Sequence, residues 1–310
     1  MSQITVHILL ATYNGAKYLR DQLDSIAKQT YNKWTLIVSD DGSTDETVNI
    51  VNIFAHNSQQ SVKLMCGPCT GSLTDNFWHL IKHSPLQNSQ DLYAFCDQDD
   101  VWFENKLERA VNWHLQHLED PLRLFCGRTK LVNDQLIPIG LSPSLSRPPS
   151  FGNALVQNIS SGNTMIFSSN VLIAQKEILP EHIVWHDWTT YLVVTAMGGI
   201  VHFENDPCLM YRQHEKNAIG ANDNLRKHLD SIKLSLGGRY KHRINKNLLA
   251  LNDLKILDVS NVKEQYDLIN CIREVRSPIK KVSLLMRSKL RRQGWLSNVG
   301  LLILSIFGRF

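Results

Sequence analysis

Three carboxylates lie within four residues of the chain, directly after a short apolar run that predicts a buried strand. The run is 92–95, and the acids are Asp97, Asp99 and Asp100. Carboxylates crowded at the end of a buried strand repel one another and lose hydration, which costs free energy unless a cation neutralises them. Oxygen ligands suit a hard divalent ion such as Mg²⁺ or Mn²⁺, which often grips a phosphorylated substrate. An acidic turn that caps the following helix would use the same residues, so both interpretations stand here.

The elements that must position these acids follow a repeated order of strand, polar turn and helix. The apolar runs 4–10 and 34–39 predict buried strands, and they end in polar clusters at 11–15 and 40–45. Apolar residues at helical spacing follow both clusters. This repetition predicts a parallel α/β sheet, in which ligands bind at the carboxyl ends of the strands. The polar clusters at 11–15, 40–45 and 97–100 should therefore lie along one edge of the sheet.

The polar segments occur in a fixed order along the chain. They are Ala11-Thr12-Tyr13-Asn14-Gly15, Gln29-Thr30-Tyr31, Val38-Ser39-Asp40-Asp41-Gly42-Ser43-Thr44-Asp45 and Asp97-Gln98-Asp99-Asp100-Val101-Trp102. This ordered set resembles glycosyltransferase family 2, the inverting family with the GT-A fold, and especially its rhamnosyltransferase-like branch of bacterial surface-polysaccharide enzymes. The resemblance covers about residues 1–220. It implies a Rossmann-like, mostly parallel sheet with flanking helices.

The resemblance also implies a donor site for a nucleotide-diphosphate sugar at the strand ends. Asp41 resembles the carboxylate that reads the base. Thr12, Tyr13 and Asn14 would line the nucleoside, and Asp97 would hold the ribose or deoxyribose. The sugar itself cannot be read from the sequence, because one hydroxyl or methyl group changes the fit of the pocket. The branch favours dTDP-rhamnose, and UDP-glucose, UDP-galactose and UDP-N-acetylglucosamine remain open.

A metal ion and a phosphate-binding group are further implications of the family likeness. Asp99 would ligate Mn²⁺ or Mg²⁺, with Asp100 beside it. The segment 211–214 is similar to a Tyr-Arg-x-His motif of the family. In that motif His214 would approach the diphosphate and the metal, and Arg212 would neutralise phosphate charge. A histidine in a solvated loop is the alternative interpretation.

The segment Trp185-His186-Asp187-Trp188 opens an apolar helical pattern. The family places its general base in such a motif, so the resemblance implies that Asp187 removes the proton from the acceptor hydroxyl. An N-cap aspartate would give the same pattern. Trp102 and Trp188 are candidates for packing against sugar faces, although core packing is the commoner fate of tryptophan.

The composition is that of an ordinary globular protein. Of 310 residues, 43% are hydrophobic and 20% are charged. No basic leader precedes the first apolar run, and no apolar run reaches the length of about 18 residues that a spanning helix needs. We therefore expect a cytoplasmic protein. Gly-rich loops of the dinucleotide-binding or Walker type are absent from the sequence, which argues against dinucleotide and NTPase functions.

Charge is divided unevenly between two regions, residues 1–220, which the resemblance implies to be the GT-A catalytic domain, and a basic helical region at 221–310. The first has 15 Lys and Arg against 22 Asp and Glu, a net charge of −7. The second has 18 against 7, a net charge of +11. The basic residues near 280–292 precede a short aromatic and aliphatic run, 295–307, which suits the surface of an anionic membrane. The alternative is that this segment is a helix that packs on the catalytic domain. Nucleic acid is a less favoured partner for the basic residues, because no nucleic-acid-binding module is recognisable.

Taken with these observations, the resemblance implies a metal-dependent, inverting glycosyltransferase that acts in surface-polysaccharide or O-antigen synthesis. The acceptor would be a polyprenyl-diphosphate-linked saccharide, and the enzyme would be peripheral on the inner face of the cell membrane. A nucleotide-sugar-binding protein without turnover is one alternative. The segment Cys66-Gly67-Pro68-Cys69 supplies a second, a dithiol oxidoreductase. The residues that follow it are poor helix formers, whereas a redox dithiol belongs at a helix N-terminus.

Overall fold

A computed structural model describes residues 4–214 and 238–310 of the chain, which divide into two compact units. Among these residues, the first unit holds 4–144, 160–176 and 199–214. The second holds 145–159, 177–198 and 238–310. The sequence predicts a single boundary at residue 220, whereas the structure assigns two earlier segments to the unit of the C-terminal helices. Residues 215–237 lie outside the described part of the chain.

The first unit contains all the strands of the described residues. They are β1 (Val6–Thr12), β2 (Trp34–Asp40), β3 (Val62–Cys66), β4 (Leu92–Cys96), β5 (Val101–Trp102), β6 (Arg123–Gly127), β7 (Lys130–Val132), β8 (Pro138–Leu141), β9 (Ile166–Ser168), β10 (Ile200–Glu204) and β11 (Leu209–Arg212). Its helices are α1 (Leu19–Ala27), α2 (Thr47–Asn57), α3 (Leu73–His83), α4 (Lys106–Leu115) and α6 (Ser169–Lys176). The second unit holds α5 (Phe151–Ala154), α7 (His186–Ala196), α8 (Tyr240–Asp253), α9 (Ser260–Glu274), α10 (Pro278–Arg287) and α11 (Trp295–Ile306).

Seven strands form the central sheet in the order β10-β6-β9-β4-β1-β2-β3. Strands β1 to β4 run parallel, and only β9 is antiparallel to its neighbours. The register sets Thr12 beside Asp40 and Asp40 beside Cys66, so these strands end along one edge. The mostly parallel α/β sheet predicted from the sequence is thus confirmed.

Burial explains why this sheet forms. Every residue of β1 and β4 is buried, and α1 turns Leu19, Leu23 and Ile26 into the same core. A fully buried leucine contributes about 1.5–3 kcal/mol relative to an exposed one. The central strands therefore hold the strand ends in place, and the loops after them are left to carry the polar groups.

A second sheet of four strands, in the order β5-β11-β7-β8, brings two distant segments together. Strand β5 starts directly after Asp100, and β11 ends at Arg212. The two strands are antiparallel, with Met210 opposite Val101 and Leu209 opposite Trp102. The pairing carries the residues after β11 back toward the acidic turn that precedes β5.

Helices of the second unit assemble around the short segment 151–156. The indole Nε1 of Trp188 donates to the carbonyl of Ala154 at 2.6 Å, and the hydroxyl of Tyr240 donates to the carbonyl of Val156 at 2.8 Å. These long-range bonds explain why 145–159 and 177–198 belong with the C-terminal helices. Within the described residues, no helix combines the length and apolar character that crossing a membrane requires.

Candidate functional site

Gln98 joins the loop after β1 to the acidic turn after β4. The backbone N–H of Tyr13 donates to Gln98 Oε1 at 2.9 Å, and Gln98 Nε2 donates to the carbonyl of Tyr13 at 3.0 Å. A Cβ atom at Gly15 would lie 2.1 Å from Gln98 Oε1, so any larger residue there would push the Gln98 amide away from Tyr13. The two loops are therefore fixed relative to each other at the edge of the sheet.

Polar contacts tie the loop after β1 to the loop after β2 as well. Asn14 has a left-handed backbone with φ of 45°, a conformation that asparagine tolerates better than most residues. Its N–H donates to Ser43 Oγ at 2.8 Å, and its Oδ1 accepts from the N–H of Thr44 at 2.9 Å. The hydroxyl of Thr12 donates to Asp40 Oδ2 at 2.8 Å. The structure thus brings Thr12, Tyr13 and Asn14 together with the second polar cluster.

The carboxylate of Asp41, the residue implied to read the base, is buried and held by backbone donors. Its Oδ2 accepts from the N–H of Gly71 at 2.7 Å, and its Oδ1 accepts from the N–H of Thr70 at 3.3 Å. These bonds fix the orientation of the carboxylate from the loop after β3. Its role toward a base stays a prediction.

Asp99 and His214 meet at the edge of the sheet although 115 residues separate them. His214 Nε2 lies 2.8 Å from Asp99 Oδ2, and both side chains are partly exposed. Asp97 lies half-buried two residues earlier, at the end of β4. The predicted metal ligands therefore share one place, which the pairing of β5 with β11 explains.

Arg212 is buried, and each nitrogen of its guanidinium donates to a group of the protein. Nε donates to the carbonyl of Asp99 at 3.0 Å, one terminal nitrogen donates to the carbonyl of Asp134 at 2.6 Å, and the other pairs with Asp21 Oδ2 at 2.7 Å. In this arrangement Arg212 fixes the backbone of the acidic turn. Phosphate binding by Arg212 stays a prediction.

Tyr18 supports the same corner from α1's N-cap position. Its ring stacks on the imidazole of His214 with centroids 5.0 Å apart, and the Arg212 guanidinium lies 4.6 Å from its centroid. Its hydroxyl donates to Asp134 Oδ1, whose other oxygen pairs with Lys17 at 2.8 Å. Hydrogen bonds from Lys17 and Tyr18 lower the pKa of Asp134. A stack of this kind, with the two rings inclined by 26°, limits the rotation of His214.

Asp100 behaves differently from Asp99, its neighbour in the chain. It is fully buried, and its Oδ2 accepts from Asn163 Nδ2. Burial, together with Asp99 and Asp97, raises the pKa of Asp100 well above its usual range. The buried ammonium of Lys106 lies 3.2 Å from the centroid of the Trp102 ring, and burial lowers its pKa to about 8. Helix α4 has Asn105 as N-cap, so the acidic turn is not its cap.

The protein-family model described as "Glycosyl transferase family 2" matches residues 7–175, which is more than half of the chain. The chain belongs to glycosyl transferase family 2. The family resemblance drawn from the sequence motifs is thereby confirmed. Members of this family transfer glycosyl groups, and relatives that are similar to this chain are named as glycosyltransferases.

Two family 2 relatives and one solved structure are similar to this chain. The dTDP-rhamnosyl transferase RfbG of Shigella flexneri is 26% identical over 253 residues, which cover 79% of this chain and 85% of the relative. The UDP-Glc:alpha-D-GlcNAc-diphosphoundecaprenol beta-1,3-glucosyltransferase WfgD of Escherichia coli is 28% identical over 137 residues, covering 44% and 50%. The crystal structure of S. aureus TarS 1-349 with UDP-GlcNAc has a TM-score of 0.59 at 18% identity, covering 98% of this chain and 82% of that one. This last likeness shows the shared fold.

The donor set at Asp99 and His214 fits a divalent cation of the kind that the family implies. A carboxylate oxygen and an imidazole nitrogen suit Mn²⁺ better than Mg²⁺, which prefers oxygen alone. Over residues 4–214 and 238–310, no three His, Cys, Asp or Glu side chains are arranged to hold a metal. Two protein ligands are nevertheless sufficient where a diphosphate supplies further oxygens. Nearby, Asp100 Oδ1 is buried with no hydrogen-bond partner in the described structure.

Asp187 lies in the second unit, in the first turn of α7. The N-cap of this helix is Trp185, so Asp187 is not the capping residue. Its Oδ1 accepts from the N–H of Trp188 at 2.6 Å, and its side chain is half-buried. Its assignment as general base stays a prediction. Trp102 and Trp188 are both buried in cores, which is the commoner fate expected for them.

Cys66 and Cys69 are both free and exposed, but they do not lie at a helix N-terminus. Cys66 ends β3, and α3 begins only at Leu73 with Ser72 as its N-cap. Thr70 and Gly71, which lie between β3 and α3, donate instead to the carboxylate of Asp41. The dithiol alternative therefore gains no support from the geometry.

Sequence reasoning missed the supporting residues Tyr18, Asp21, Gln98, Asp134 and Asn163. Gln98 lies inside the acidic motif and would have been the easiest of these to find, because an amide among carboxylates can both donate and accept hydrogen bonds. The contacts of Asp21 and Asp134 with Arg212 join residues 191 and 78 positions apart in the chain. No local pattern signals such pairs.

Proposed function

We propose that this protein is an inverting, metal-dependent glycosyltransferase that uses a nucleotide-diphosphate sugar, with dTDP-rhamnose as the first donor to test and UDP-hexoses as the next. The observation that carries the proposal is the meeting of Asp99 and His214, 2.8 Å apart, at the sheet edge where the loops after β1, β2 and β4 converge. Support for rhamnose comes from the relative named a dTDP-rhamnosyl transferase, whose alignment covers 79% of this chain.

In the proposed donor complex, the nucleoside binds against Thr12, Tyr13 and Asn14, and Asp41 reads the base. The bonds from Gly71 and Thr70 keep the Asp41 carboxylate in one orientation. A hydrogen-bond acceptor that is held rigidly in this way favours recognition of the base. Asp97 holds the ribose or deoxyribose. These side chains are positioned by a buried sheet, so little ordering is needed when the donor binds.

Asp99 and His214 would hold Mn²⁺ or Mg²⁺ between them and the donor diphosphate. When bound, such an ion stabilises the negative charge that develops on the leaving diphosphate. Arg212 keeps the backbone at Asp99 in place and adds positive charge beside the phosphates. The buried hydrogen bond between Asp100 and Asn163 helps to hold the turn in place.

In the chemical step, the acceptor hydroxyl oxygen attacks the anomeric carbon, and the bond from that carbon to the diphosphate oxygen breaks. Asp187 takes the hydroxyl proton as general base. A single displacement from the face opposite the leaving group inverts the configuration. The proton ends on Asp187, and the electron pair of the broken bond leaves with the nucleoside diphosphate.

We propose a lipid-linked saccharide as acceptor, in the synthesis of O-antigen or another surface polysaccharide. The support is the relative named as acting on a diphosphoundecaprenol-linked sugar, which aligns with 44% of this chain. A lipid-linked acceptor would place the enzyme in the cytoplasm, peripheral on the inner face of the cell membrane, with an anionic membrane surface as partner.

The experiment is a panel of nucleotide sugars incubated with polyprenyl-diphosphate-linked acceptor analogues and read by mass spectrometry, with and without EDTA. We expect one donor, first of all dTDP-rhamnose, to give a product whose formation stops in EDTA and returns with Mn²⁺. Donor binding without transfer or hydrolysis for every pair would favour the nucleotide-sugar-binding alternative. Product formation that EDTA leaves unchanged would refute the metal assignment.

A further inference from the structure

The C-terminal segment 275–310 carries charge of one sign only. It contains no aspartate or glutamate, and its eight basic residues are Arg276, Lys280, Lys281, Arg287, Lys289, Arg291, Arg292 and Arg309. Most of these side chains are exposed, while Lys281 is buried. Lys289 lies 4.0 Å from Glu264 of α9, but both are well exposed, so this pair contributes little. The segment therefore presents an almost uncompensated positive potential.

Helix α11 leaves an apolar face open to solvent. The side chain of Trp295 is 73% exposed and that of Phe307, its C-cap residue, is 69% exposed. Leu296, Val299 and Ile303 are exposed too. At 3.6 residues per turn, these five side chains fall within an arc of about 120°. The helix buries a different set against the unit, namely Leu301, Leu304 and Ser305.

Helix α10 packs against α11 and repeats the arrangement. Ile279 is 81% exposed and Met286 is 66% exposed, and the two lie within about 20° of each other on the helix surface. Lys280 and Arg287 are exposed on the flank of this stripe, about 90° away around the helix. Both helices thus combine a solvent-exposed apolar stripe with basic side chains at its border or on the linking segment.

We infer that α10 and α11 form a docking face for an anionic lipid bilayer, made of the exposed apolar side chains with the basic side chains around them. The apolar side chains are Ile279, Met286, Trp295, Leu296, Val299, Ile303 and Phe307. Short amphipathic helices with tryptophan, phenylalanine and leucine on one side and lysine and arginine beside them lie in the interface of such bilayers. The positive segment and the negative lipid surface are complementary in charge. A second copy of this chain would instead bring two positive segments together.

The inference deepens the proposed function, because it names the surface that would carry the enzyme to a lipid-linked acceptor. Binding to lipid does not itself require glycosyl transfer, so the two can fail separately. Protein that binds vesicles yet transfers no sugar would leave the docking face intact and count against the proposed function. Protein that transfers sugar yet never binds vesicles would do the reverse.

The test is co-sedimentation of the full chain with vesicles of phosphatidylethanolamine and phosphatidylglycerol, compared with phosphatidylcholine vesicles. We expect binding to the anionic vesicles that weakens at high salt, since screening reduces surface attraction. The double variant Trp295→Ser with Phe307→Ser should bind at least about tenfold more weakly. Leu249→Ser with Val259→Ser, at exposed apolar positions of the same unit, is the matched control and should bind like the wild type.

A second pair of variants separates charge from apolar contact. Lys280→Glu with Arg287→Glu should reduce binding to anionic vesicles about tenfold or more. Lys241→Glu with Lys263→Glu, exposed on α8 and α9, should change it much less. All four variants should keep the melting temperature of the wild type, because the changed side chains are exposed. Absence of wild-type binding, equal binding by face and control variants, or a dimer in light scattering that the face variants abolish would overturn the inference.

Discussion

The acidic turn of the first unit and the basic helices of the second both concentrate charge of one sign, but they hold it in different ways. At the turn, Asp99 is paired with His214 and Asp100 with Asn163, so these two carboxylates have defined positions. Along α10, Lys280 and Arg287 extend into solvent. The first region can select one geometry, as chemistry requires, whereas the second can only attract an oppositely charged surface.

This difference predicts how each region responds to mutation. Where positions are fixed by partners, the removal of one atom leaves a neighbour misplaced or unpaired, and the effect is large. Where exposed charges act together over several ångströms, each contributes a small and nearly independent share. The predictions below test that contrast.

The largest effect is expected for Asp99→Ala. Transfer should fall to background, and Mn²⁺ should no longer raise the melting temperature, because the carboxylate at the implied metal site is gone. Product formation and thermal melts with and without Mn²⁺ measure both. Asp206→Ala, at an exposed acid outside the turn, is the control and should retain activity. Metal-dependent transfer by Asp99→Ala would contradict the assignment.

Asp187→Asn should lower turnover by about two or more orders of magnitude, the usual contribution of a positioned general base. Donor affinity should hardly change, because the residue is assigned to the acceptor. Steady-state kinetics and titration with the nucleoside diphosphate measure the two separately. Normal turnover at saturating donor with lost donor affinity would move Asp187 to the donor site.

Tyr18→Ala should weaken metal binding about 10- to 100-fold, the usual cost of losing a group that orients a metal ligand. The cause is the loss of the stack that restricts His214. Tyr18→Phe keeps the ring and should be milder. Activity as a function of Mn²⁺ concentration measures the effect. A lower melting temperature with an unchanged metal requirement would reduce Tyr18 to a structural role.

A single substitution in the basic region should do little. Arg287→Gln should weaken binding to anionic vesicles by about fivefold, because one basic side chain near such a surface contributes about 1 kcal/mol. Vesicle co-sedimentation at low and high salt measures this. A complete loss of binding from this one change would show that Arg287 recognises a specific headgroup and that the contrast between the regions is wrong.

Asp100→Asn should alter stability rather than charge attraction. The raised pKa means that the folded protein holds this proton more tightly than the unfolded chain does. The stability contributed by the carboxyl is therefore complete below about pH 4 and is lost as the pH rises through the folded value. Asparagine cannot ionise, so in EDTA at neutral pH the variant should melt about 2–4 °C higher, equivalent to roughly 1 kcal/mol.

That advantage of Asp100→Asn should shrink as the pH falls toward 4. Asp206→Asn, at an exposed acid, serves as the control and should show no such trend. A variant that melts lower than the wild type at every pH would mean that the ionised carboxylate stabilises the turn, with Lys106 as the charge that compensates it.

The local parts of the fold could be predicted from the sequence. Buried strands can be recognised in the sequence as apolar runs. The predicted runs 34–39 and 92–95 correspond to β2 and β4 within one residue at their ends. Parallel sheets place their ligands at strand ends, so the convergence of three polar clusters also followed from the order of elements. The direction of β9 and the sheet β5-β11-β7-β8 depend on pairing between distant segments, which local patterns do not encode.

The candidate site was predictable as a set of residues but not as a set of contacts. Arg212 was found through a motif, yet its bonds to Asp21 and Asp134 depend on chain reversals that only the folded structure shows. The segment 145–159 joins the C-terminal helices through bonds to residues far along the chain, a grouping that no local pattern shows.

The double hydrogen bond between Gln98 and the backbone of Tyr13 has a thermodynamic consequence. It joins the loop assigned to the nucleoside to the turn assigned to the metal, so a shift of one displaces the other. A ligand that orders either side then lowers the entropy that the other ligand must lose. Linkage is reciprocal, so nucleotide should tighten metal binding by the same factor as metal tightens nucleotide binding. Gln98→Ala should leave both sites present but reduce that factor toward one, which paired calorimetric titrations can measure.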